Sequence, residues 1–521
     1  YGGRLMTPSF NLIVEPWIPC TDRDGEPVEL GIRDVLLHAH ELRGLNSDSP
    51  LTTIALLRLL LAALHRVLGP ENENDWLAHW SQGMWDAAAL DPYFEAWFDH
   101  FDLLHHDPAQ RFFQAVPEEE FGPKAIIHLV HSQGNTPTLF VHDTDVDEIG
   151  LTPAEAARAL ITAHSCQLGG LIGAGVSAPT SPAARGVSFV ATGRNLFETL
   201  ALNWFPYPNP DVFVTYPGDR PAWELENPYQ ADRQTVRVGK KEEVLPLGYL
   251  DYLTWQNHRI WLGAPGEDGL IREVYMGVGN PKLHDSVMNP MYHYRKTSSG
   301  LNYLRSNETR MLWRDSTALL QYRDPDNIRP PYCIRWQAQL FDVTGELVDH
   351  DGYLAAGMGN NQAKVYFYQQ ERLPLPSIYL ADENLFTDLQ LAMNKTEDVA
   401  RTTRGAVSRL AELVLSTSAD QQGGRSPDRG DVRNLVEHWG VMREYWGSLE
   451  PFFWEFVSAL PHDPDAVLDW WMGVLKQIAE ATFQRAETLA GTDARALKAA
   501  VVGRQQLNAG LKKLFKSGQE A

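Results

Sequence analysis

The order of apolar and polar residues predicts the first elements of the chain. Apolar residues at 10–19, turn residues at 22–25 and a second apolar stretch at 28–30 predict a β-hairpin. Residues 51–68 are mostly apolar but include charged and polar side chains, which predicts a buried helix and not a membrane span. Residues 152–155, Thr-Pro-Ala-Glu, have the cap, the proline and the glutamate of a helix start.

The pattern is strand-like and rich in loops over residues 187–378, and it changes near the end of that stretch. Pro374 and Pro376 block a continuous helix and mark the predicted domain boundary. Four later segments have the apolar spacing of helices and are separated by helix breakers: 382–418, 428–460, 464–489 and 492–517. The predicted fold class is therefore α+β, with a large irregular mixed α/β domain over residues 1–376 followed by a four-helix bundle over residues 377–521.

Charge and cysteine content limit the functions that this sequence allows. The chain has 521 residues and a formal net charge of −22, whereas a protein that holds DNA alone usually has a basic surface. Nucleic-acid binding therefore requires clustered basic residues, or partners that supply most of the phosphate contacts. Cys20, Cys166 and Cys333 are too scattered for a disulfide framework or a zinc-type pair. We expect no signal peptide and no membrane association, and the predicted compartment is the cytoplasm.

Five adjacent His–Asp pairs are the feature closest to a catalytic motif. They are His106-Asp107, His142-Asp143, His284-Asp285, His350-Asp351 and His462-Asp463. A metal-dependent phosphohydrolase of the His–Asp type needs such a pair on a helix, together with a separate His and a later Asp. Most pairs here are next to Pro or Gly, so turns explain them, and the phosphohydrolase is kept as an alternative function.

Other active-site motifs do not occur in the sequence. The acidic run beside His142, with Asp143, Asp145, Asp147 and Glu148, lacks the glycine and the distal glutamate of an EF-hand loop. The chain has no phosphate-binding loop, nucleophile elbow or dinucleotide fingerprint. We therefore predict a protein that is not an enzyme and that has no catalytic residues, no metal and no cofactor.

A stretch of two glycines followed by amide side chains is a candidate for reading nucleic acid. Its residues are Gly357, Gly359, Asn360, Asn361, Gln362 and Ala363. The glycines allow close backbone approach and unusual φ angles. Asn and Gln donate to and accept from base edges in either groove, and a small alanine leaves room for a base pair. On composition alone, an Asn-rich turn between two strands explains the same residues.

Basic residues are clustered in two parts of this acidic chain. The first cluster alternates with Tyr292, Tyr294 and Tyr303 and contains Arg194, Arg295, Lys296, Arg305, Arg310 and Arg314. The second lies in the last predicted helix and contains Arg495, Lys498, Arg504, Lys512, Lys513 and Lys516. We predict DNA-backbone contacts at Arg295, Lys296 and the last helix. A merely solvated helix face explains the second cluster equally well.

Five short stretches, in the same order along the chain, resemble those of one known family. They are residues 10–19, 106–114, 140–142, 249–260 and 360–363, and a helical C-terminal quarter follows them. Together they resemble the CasA proteins, the large subunits of the type I-E CRISPR surveillance complex Cascade. Each motif is short, but five in order, over nearly the whole chain, make the resemblance specific.

The resemblance implies a non-catalytic subunit that recognises DNA inside a ribonucleoprotein complex. CasA proteins recognise the protospacer-adjacent motif, a short sequence beside the target, as double-stranded DNA. They part the first base pairs to start R-loop formation, in which the guide RNA pairs with one DNA strand. The implied partners are target DNA, CRISPR RNA, the other Cascade subunits and a recruited helicase-nuclease.

The resemblance also implies roles for individual residues of the glycine and amide stretch. Gln362 is implied to be the wedge that enters between base pairs. Asn361 and Ala363, with Gly359 behind them, are implied to line the pocket for the motif. The family has a lysine that partners this glycine loop, and we assign that role to Lys282.

The first family loop has its tip at Phe140, Val141 and His142, which are implied to contact the RNA handle or a neighbouring subunit. His142 occupies the position where the family usually has Asn. The bundle is implied to face the small subunits and the displaced strand. Some relatives have a cysteine cluster, which the three scattered cysteines of this chain cannot form.

A pure scaffold subunit, which does not read the motif, is the second alternative function.

Overall fold

The computed structural model divides the chain into two compact units. The first contains Tyr1–Glu308 and Gln321–Leu373, and the second contains Thr309–Leu320 and Pro374–Ala521. The structure describes residues 9–118, 121–130, 149–173, 175–210, 212–298, 300–322, 327–361, 364–416 and 427–516. The observed division after Leu373 lies beside the predicted one after residue 376. The sequence did not indicate that the short segment Thr309–Leu320 belongs to the second unit.

Helices occur throughout the described residues, and the long ones are concentrated near the C-terminus. They are α1 Ile32–Leu37, α2 Pro50–Leu68, α3 Glu73–Gln82, α4 Ala87–Ala96, α5 Pro153–Cys166, α6 Leu196–Leu202, α7 Tyr249–Leu253, α8 Ser316–Leu320, α9 Tyr332–Thr344, α10 Ile378–Ala381, α11 Glu383–Leu415, α12 Arg429–Trp439, α13 Val441–Ala459, α14 Pro464–Ala490 and α15 Ala494–Lys516. The predicted fold class, a mixed α/β part followed by a helical C-terminal part, is confirmed.

The strands form small antiparallel sheets. They are β1 Ile18–Asp22, β2 Pro27–Leu30, β3 Leu42–Leu45, β4 Lys124–Ala125, β5 Gly170–Gly173, β6 Val176–Ala178, β7 Ser188–Thr192, β8 Thr235–Val238, β9 Lys241–Val244, β10 His258–Leu262, β11 Glu273–Val278, β12 Tyr294–Thr297, β13 Gly300–Tyr303, β14 Ile328–Arg329, β15 Gly352–Asn361 and β16 Lys364–Leu373. The sheet orders are β2-β1-β3, β10-β11-β4, β13-β12-β14 and β16-β15-β7, with hairpins β5-β6 and β8-β9.

The N-terminal hairpin is present, but its first strand begins later than the sequence predicted. Residues 10–17 precede β1 and form turns, in which the side chain of Asn11 accepts a hydrogen bond from the amide of Ile13 at 3.0 Å. The indole of Trp17 donates to the carbonyl of Leu12 at 2.9 Å. The prediction of a strand from residue 10 was therefore wrong, because these local bonds favour turns over a ladder.

Helix α2 lies in the core of the first unit. It begins with Ser49 as N-cap and Pro50 in its first turn, and it buries most of its length. Among the described helices, it alone has the length and hydropathy of a membrane-crossing helix, and 72% of that window is buried inside the protein. The sequence prediction of a buried helix is thus confirmed.

The second unit contains the predicted long helices, with one break that the sequence did not predict. The segment predicted as a single helix over 428–460 is two helices, α12 and α13. Gly440 ends α12 with φ 67°, a left-handed conformation that favours glycine. The aromatic interior includes Trp471, whose ring lies 5.1 Å from that of Phe456.

The segment Thr309–Leu320 is held in the second unit by its own side chains. Trp313 is fully buried, and its ring stacks on that of Phe453 at 4.5 Å. The guanidinium of Arg314 donates to the carboxylate of Glu397 at 2.7 Å and lies 3.5 Å from the ring centroid of Trp446. Arg314, which the sequence grouped with basic residues of the first part, therefore has a structural role here.

Replacing Gly440 with alanine is expected to lower the free energy of unfolding of the second unit by about 1–2 kcal/mol, the cost of a left-handed L-residue. Gly473→Ala is the matched control, because among the described residues no atom lies within 4 Å of a Cβ built at Gly473. That control is expected to raise stability by up to about 1 kcal/mol. Thermal unfolding of both variants measures the difference, and shifts of the same sign would contradict this role of Gly440.

The three cysteines lie in separate parts of the first unit. Cys20, Cys166 and Cys333 are free and buried. Burial raises the pKa of each thiol to about 12, because the charged thiolate is poorly solvated in the core. At neutral pH all three are therefore protonated and unreactive.

Candidate nucleic-acid interface

The glycine and amide stretch lies on a long β-hairpin of the first unit. Strands β15 and β16 pair from Tyr353 with Leu373 to Asn361 with Lys364. Strand β7 pairs with β15 only as far as Ala356. The outer part of the hairpin, from Gly357 to the tip, therefore extends past the end of β7 by roughly 16 Å at the usual rise per residue. We call this outer part the hairpin arm.

A β-bulge lies directly before the tip of the arm. Gly359 pairs with Phe367, and Asn360 then pairs with Val365, so the register shifts between Gly359 and Asn360. Bulges bend a strand and redirect its side chains. The side chain of Asn360 is exposed. Gln362, Ala363 and the side chain of Asn361 lie outside the described residues, so their predicted roles stay predictions.

The two glycines of the arm are required for close packing and not for unusual backbone angles. Neither is among the glycines with positive φ, so that part of the sequence prediction was wrong. A Cβ atom at Gly359 would overlap the ring of Phe367 on the paired strand. A Cβ atom at Gly357 would lie 2.6 Å from the hydroxyl of Ser306. The close contacts at these two glycines are with groups of the protein itself, and the predicted approach of their backbone to nucleic acid stays a prediction.

A neighbouring segment of the first unit supports the arm. The amide of Asn307 donates to the side chain of Gln369 on β16 at 3.3 Å. The amide of Val187 donates to the carbonyl of Leu304 at 2.9 Å. The sequence did not indicate this support, because residues 304–307 contact strands that are distant along the chain and have no motif of their own.

The basic residues of the first unit lie near this support. Arg295 and Lys296 are exposed on β12, which pairs with β13, and Arg305 is exposed directly after β13. The guanidinium of Arg305 lies 5.2 Å from the ring centroid of Tyr303. These basic residues thus lie on, or just after, the two strands that precede the segment in contact with β16, and their predicted DNA-backbone contacts stay predictions. Tyr292 and Tyr294, by contrast, are buried, so they pack in the interior.

Lys282 is held by two carboxylates. Its amine lies 2.8 Å from Glu243 and 2.9 Å from Asp285. Burial lowers the pKa of Lys282, but the hydrogen bonds to both carboxylates outweigh that effect and raise it overall. The charge of Lys282 is therefore already paired within the protein, and its predicted role beside the glycine loop stays a prediction.

The basic residues of α15 differ in their exposure and in their ion pairing. Arg495, Lys498, Lys512 and Lys513 are exposed. Arg504 pairs with Glu487 instead, and its pKa is raised chiefly by that hydrogen bond. Among its described side chains, the helix thus presents four exposed cations, whereas Arg504 stabilises the bundle.

Three of the four described His–Asp pairs lie in turns or helix caps, as expected from their sequence context, whereas His350-Asp351 directly precedes β15. Asp107 accepts a hydrogen bond from the amide of Ala109, and Asp463 caps the start of α14. His350 is buried, and His284 contacts Ser286 at 2.7 Å. Within the described residues, no group of three or more His, Cys, Asp or Glu side chains is arranged to hold a metal ion. The loop tip Phe140, Val141 and His142, and its acidic neighbours up to Glu148, lie outside the described residues.

Solved structures show which class of protein has this fold. The chain superimposes on the crystal structure of CasA from Thermus thermophilus with a TM-score of 0.79 and 30% identity, over 97% of this chain and 100% of that one. Cse1 from Acidimicrobium ferrooxidans matches with a TM-score of 0.78 and 22% identity, over 98% and 99% of the two chains. A chain of a CRISPR RNA-guided surveillance complex matches with a TM-score of 0.75 and 22% identity, over 96% and 99%. The fold is that of the CasA/Cse1 proteins.

Sequence comparison identifies the family. The CRISPR-associated protein CasA/Cse1 of Thermus thermophilus is 34% identical over 513 residues, which are 95% of this chain and 96% of that protein. The family described as CRISPR-associated protein Cse1 matches residues 11–483. The chain therefore belongs to the CRISPR-associated Cse1 family, and the resemblance predicted from five short motifs is confirmed.

Proposed function

We propose that this chain is the large, non-catalytic subunit of a CRISPR RNA-guided surveillance complex, in which it reads the protospacer-adjacent motif of double-stranded DNA. The observation that carries the proposal is the hairpin arm, which extends past β7 and ends at Asn360 and Asn361. Its partners are target DNA, CRISPR RNA, the other Cascade subunits and a helicase-nuclease that the complex recruits. Its place of action is the cytoplasm.

The shape and chemistry of the arm suit a DNA groove. A two-stranded ribbon fits the major groove, and some β-ribbon proteins place strands in the minor groove. Amide side chains both donate and accept, so they can read the acceptors of the minor groove, where the code is degenerate and discrimination is modest. An inserted Gln362 separates the first base pairs, and the interactions of the opened DNA with the protein offset an unstacking cost of about a few kcal/mol.

Electrostatics explains why such a protein works inside an assembly. The net charge of −22 opposes free binding to DNA. Arg295, Lys296 and Arg305 supply local phosphate contacts beside the arm, and the exposed cations of α15 supply others. In RNA-guided effectors the protein reads a short motif and base pairing reads the rest, so one subunit needs few contacts of its own.

The test is target affinity of the reconstituted complex with the wild-type chain and with Asn361→Ala plus Gln362→Ala, on DNA with and without the motif. We expect the double variant to lose about tenfold or more in affinity for the motif-containing target, because one base contact is worth about 1–3 kcal/mol. Affinity for the target without the motif should change little, so discrimination disappears.

A matched control removes one Asn and one Gln from a helix away from the arm. Asn74→Ala plus Gln82→Ala changes two exposed residues of α3 and is expected to keep full discrimination. If the arm variant also keeps full discrimination, the arm is only a turn between strands. The chain is then a scaffold subunit.

A further inference from the structure

An exposed tyrosine lies on the hairpin arm, close to its tip. Tyr366 belongs to β16 and is 61% exposed. Lys364, the first residue of β16, pairs with Asn361, so Tyr366 follows the tip by two residues. That separation is roughly 7 Å at the usual rise, or about two base-pair steps of DNA. The tyrosine therefore lies within a few base-pair steps of the proposed wedge.

The β-bulge of the arm leaves Tyr366 outside the ladder. Asn360 pairs with Val365 and Gly359 pairs with Phe367, so β16 advances by two residues where β15 advances by one. Tyr366 is the extra residue, and it has no partner on β15. The extra residue of a bulge has its side chain redirected from the regular alternation.

The bulge also determines which face of the arm the ring occupies. In a regular strand Tyr366 and Tyr368 would share one face, because side chains alternate. Val365 and Tyr368 both pack against the hydrophobic core of the first unit, although they are three residues apart. The two residues between them, Tyr366 and Phe367, are therefore both turned away from that core.

The face turned away from the core is covered only in its lower part. Ser306 covers it at Gly357, where a Cβ atom would lie 2.6 Å from the serine hydroxyl. Phe367 covers it at Gly359, where a Cβ atom would overlap the phenyl ring. Tyr366 is nearer to the tip than either of these contacts, so it is the outermost described aromatic residue of the arm.

The ring of Tyr366 has no partner within the described part of the chain. No hydrogen bond, ion pair or ring contact there involves its side chain. Single exposed apolar residues are common on protein surfaces. This one differs because a bulge holds it on the outward face of an arm that extends past its sheet. A flat ring without a partner thus lies where the arm is proposed to meet DNA.

We propose that the ring of Tyr366 stacks on a base that loses its partner when the first base pairs part, and so stabilises the opened DNA. This inference rests on the proposed function of the arm. Aromatic rings stack on bases of any identity, because every base has a flat π-face. Bases inside a duplex are covered on both faces by their neighbours, so the ring gains its partner only after opening. Tyr366 therefore stabilises the opened state without reading the motif.

The test is affinity of the reconstituted complex for motif-containing target DNA. Tyr366→Leu removes the flat ring but keeps an apolar side chain, and it is expected to lower affinity about fivefold or more. Tyr366→Phe should bind like wild type, because the ring remains. Phe98→Leu is the matched control, since it removes a ring that is 41% exposed outside the arm, and it should leave affinity unchanged.

Targets with one missing base identify the base on which the ring stacks. An abasic nucleotide is placed in turn at each position beside the motif, on either strand. The difference in affinity between wild type and Tyr366→Leu should disappear at one abasic position and persist at the others, because that contact is then already lost. At the same position, 2-aminopurine should be dim in the wild-type complex and brighter with Tyr366→Leu, since stacking quenches its fluorescence.

A target that lacks the motif and has mismatched first base pairs separates this inference from the proposed function. It presents freed bases without the motif, so Tyr366→Leu should still weaken binding there, whereas Asn361→Ala plus Gln362→Ala should not. If the double variant loses motif discrimination while Tyr366→Leu binds every target like wild type, the proposed function stands and this inference is wrong. If the double variant keeps discrimination, the proposed function fails, and the mismatched target still decides the role of Tyr366. A difference that persists at every abasic position also overturns the inference, because the ring then does not act on a base.

Discussion

Replacing Arg233 with methionine is expected to lower the free energy of unfolding of the first unit by about 3–5 kcal/mol, the usual cost of breaking a buried ion pair. The guanidinium of Arg233 makes two bonds of 2.7 Å to the carboxylate of Asp251, and their side chains are only 5% and 1% exposed. Asp251 also accepts from the amide of Leu247 at 2.9 Å. Without Arg233, a carboxylate stays buried with no cation beside it.

Denaturant unfolding of the full chain measures this effect, and hydrogen exchange of peptides covering 233–256 assigns it to the first unit. The matched control is Arg401→Met, because Arg401 pairs with Asp398 at the surface with side chains 77% and 41% exposed. Surface pairs contribute about 0–1 kcal/mol, so the control should change stability little. Equal losses in the two variants would show that burial does not determine the strength of the Arg233 pair.

Gly359→Ala is expected to displace the hairpin arm and to lower affinity for motif-containing DNA by about tenfold to a hundredfold. The added methyl group overlaps the ring of Phe367, and overpacking of this kind costs about 1–3 kcal/mol. Affinity of the reconstituted complex, measured on targets with and without the motif, shows whether the loss is confined to the motif-containing target.

Removing the ring of Phe367 should restore the discrimination between targets that the added methyl group abolishes. The double variant Gly359→Ala plus Phe367→Ala is expected to recover most of the lost discrimination, because the overlap is gone. Gly44→Ala on β3 is the control, since none of the described atoms lies within 4 Å of a Cβ built there. A double variant as weak as Gly359→Ala would mean that the close approach of Gly359 to Phe367 is not what positions the arm.

Elements with local causes were predictable from the sequence. Thr152 and Glu155 form the capping box at the start of α5, where the amide of Thr152 donates to the carboxylate of Glu155 at 2.8 Å. Both partners lie within four residues, so the motif specifies its own geometry. Helix α2 was predictable for a similar reason, because its apolar run is longer than a strand needs.

Elements that depend on distant residues were not predictable. The glycines of the arm illustrate this, because composition cannot distinguish a glycine needed for φ from one needed for contact with Phe367. Helix α9 lies inside a stretch predicted as strands and loops. Tyr332, Trp336 and Leu340 are buried at helical spacing there and could have revealed it.

The sequence predicted which residues belong to the candidate site, but not where they lie in space or which carboxylates they pair with. The sequence grouped Arg310 and Arg314 with Arg295, whereas the structure places the first two in the second unit beside Asp315 and Glu397. The position of an arginine in the sequence does not show which carboxylate will pair with it. Pairing is decided by tertiary contacts.

Every native thiol in this chain is buried. A single cysteine introduced in the hairpin arm can therefore be labelled without competition from the native ones. Since Cys20, Cys166 and Cys333 are buried and protonated, a maleimide dye has no native surface thiol to attack. A cysteine placed at the exposed Asn360 would then take up the dye without any change to the native cysteines. Fluorescence from that one position would then test directly the proposed contact between the arm and DNA.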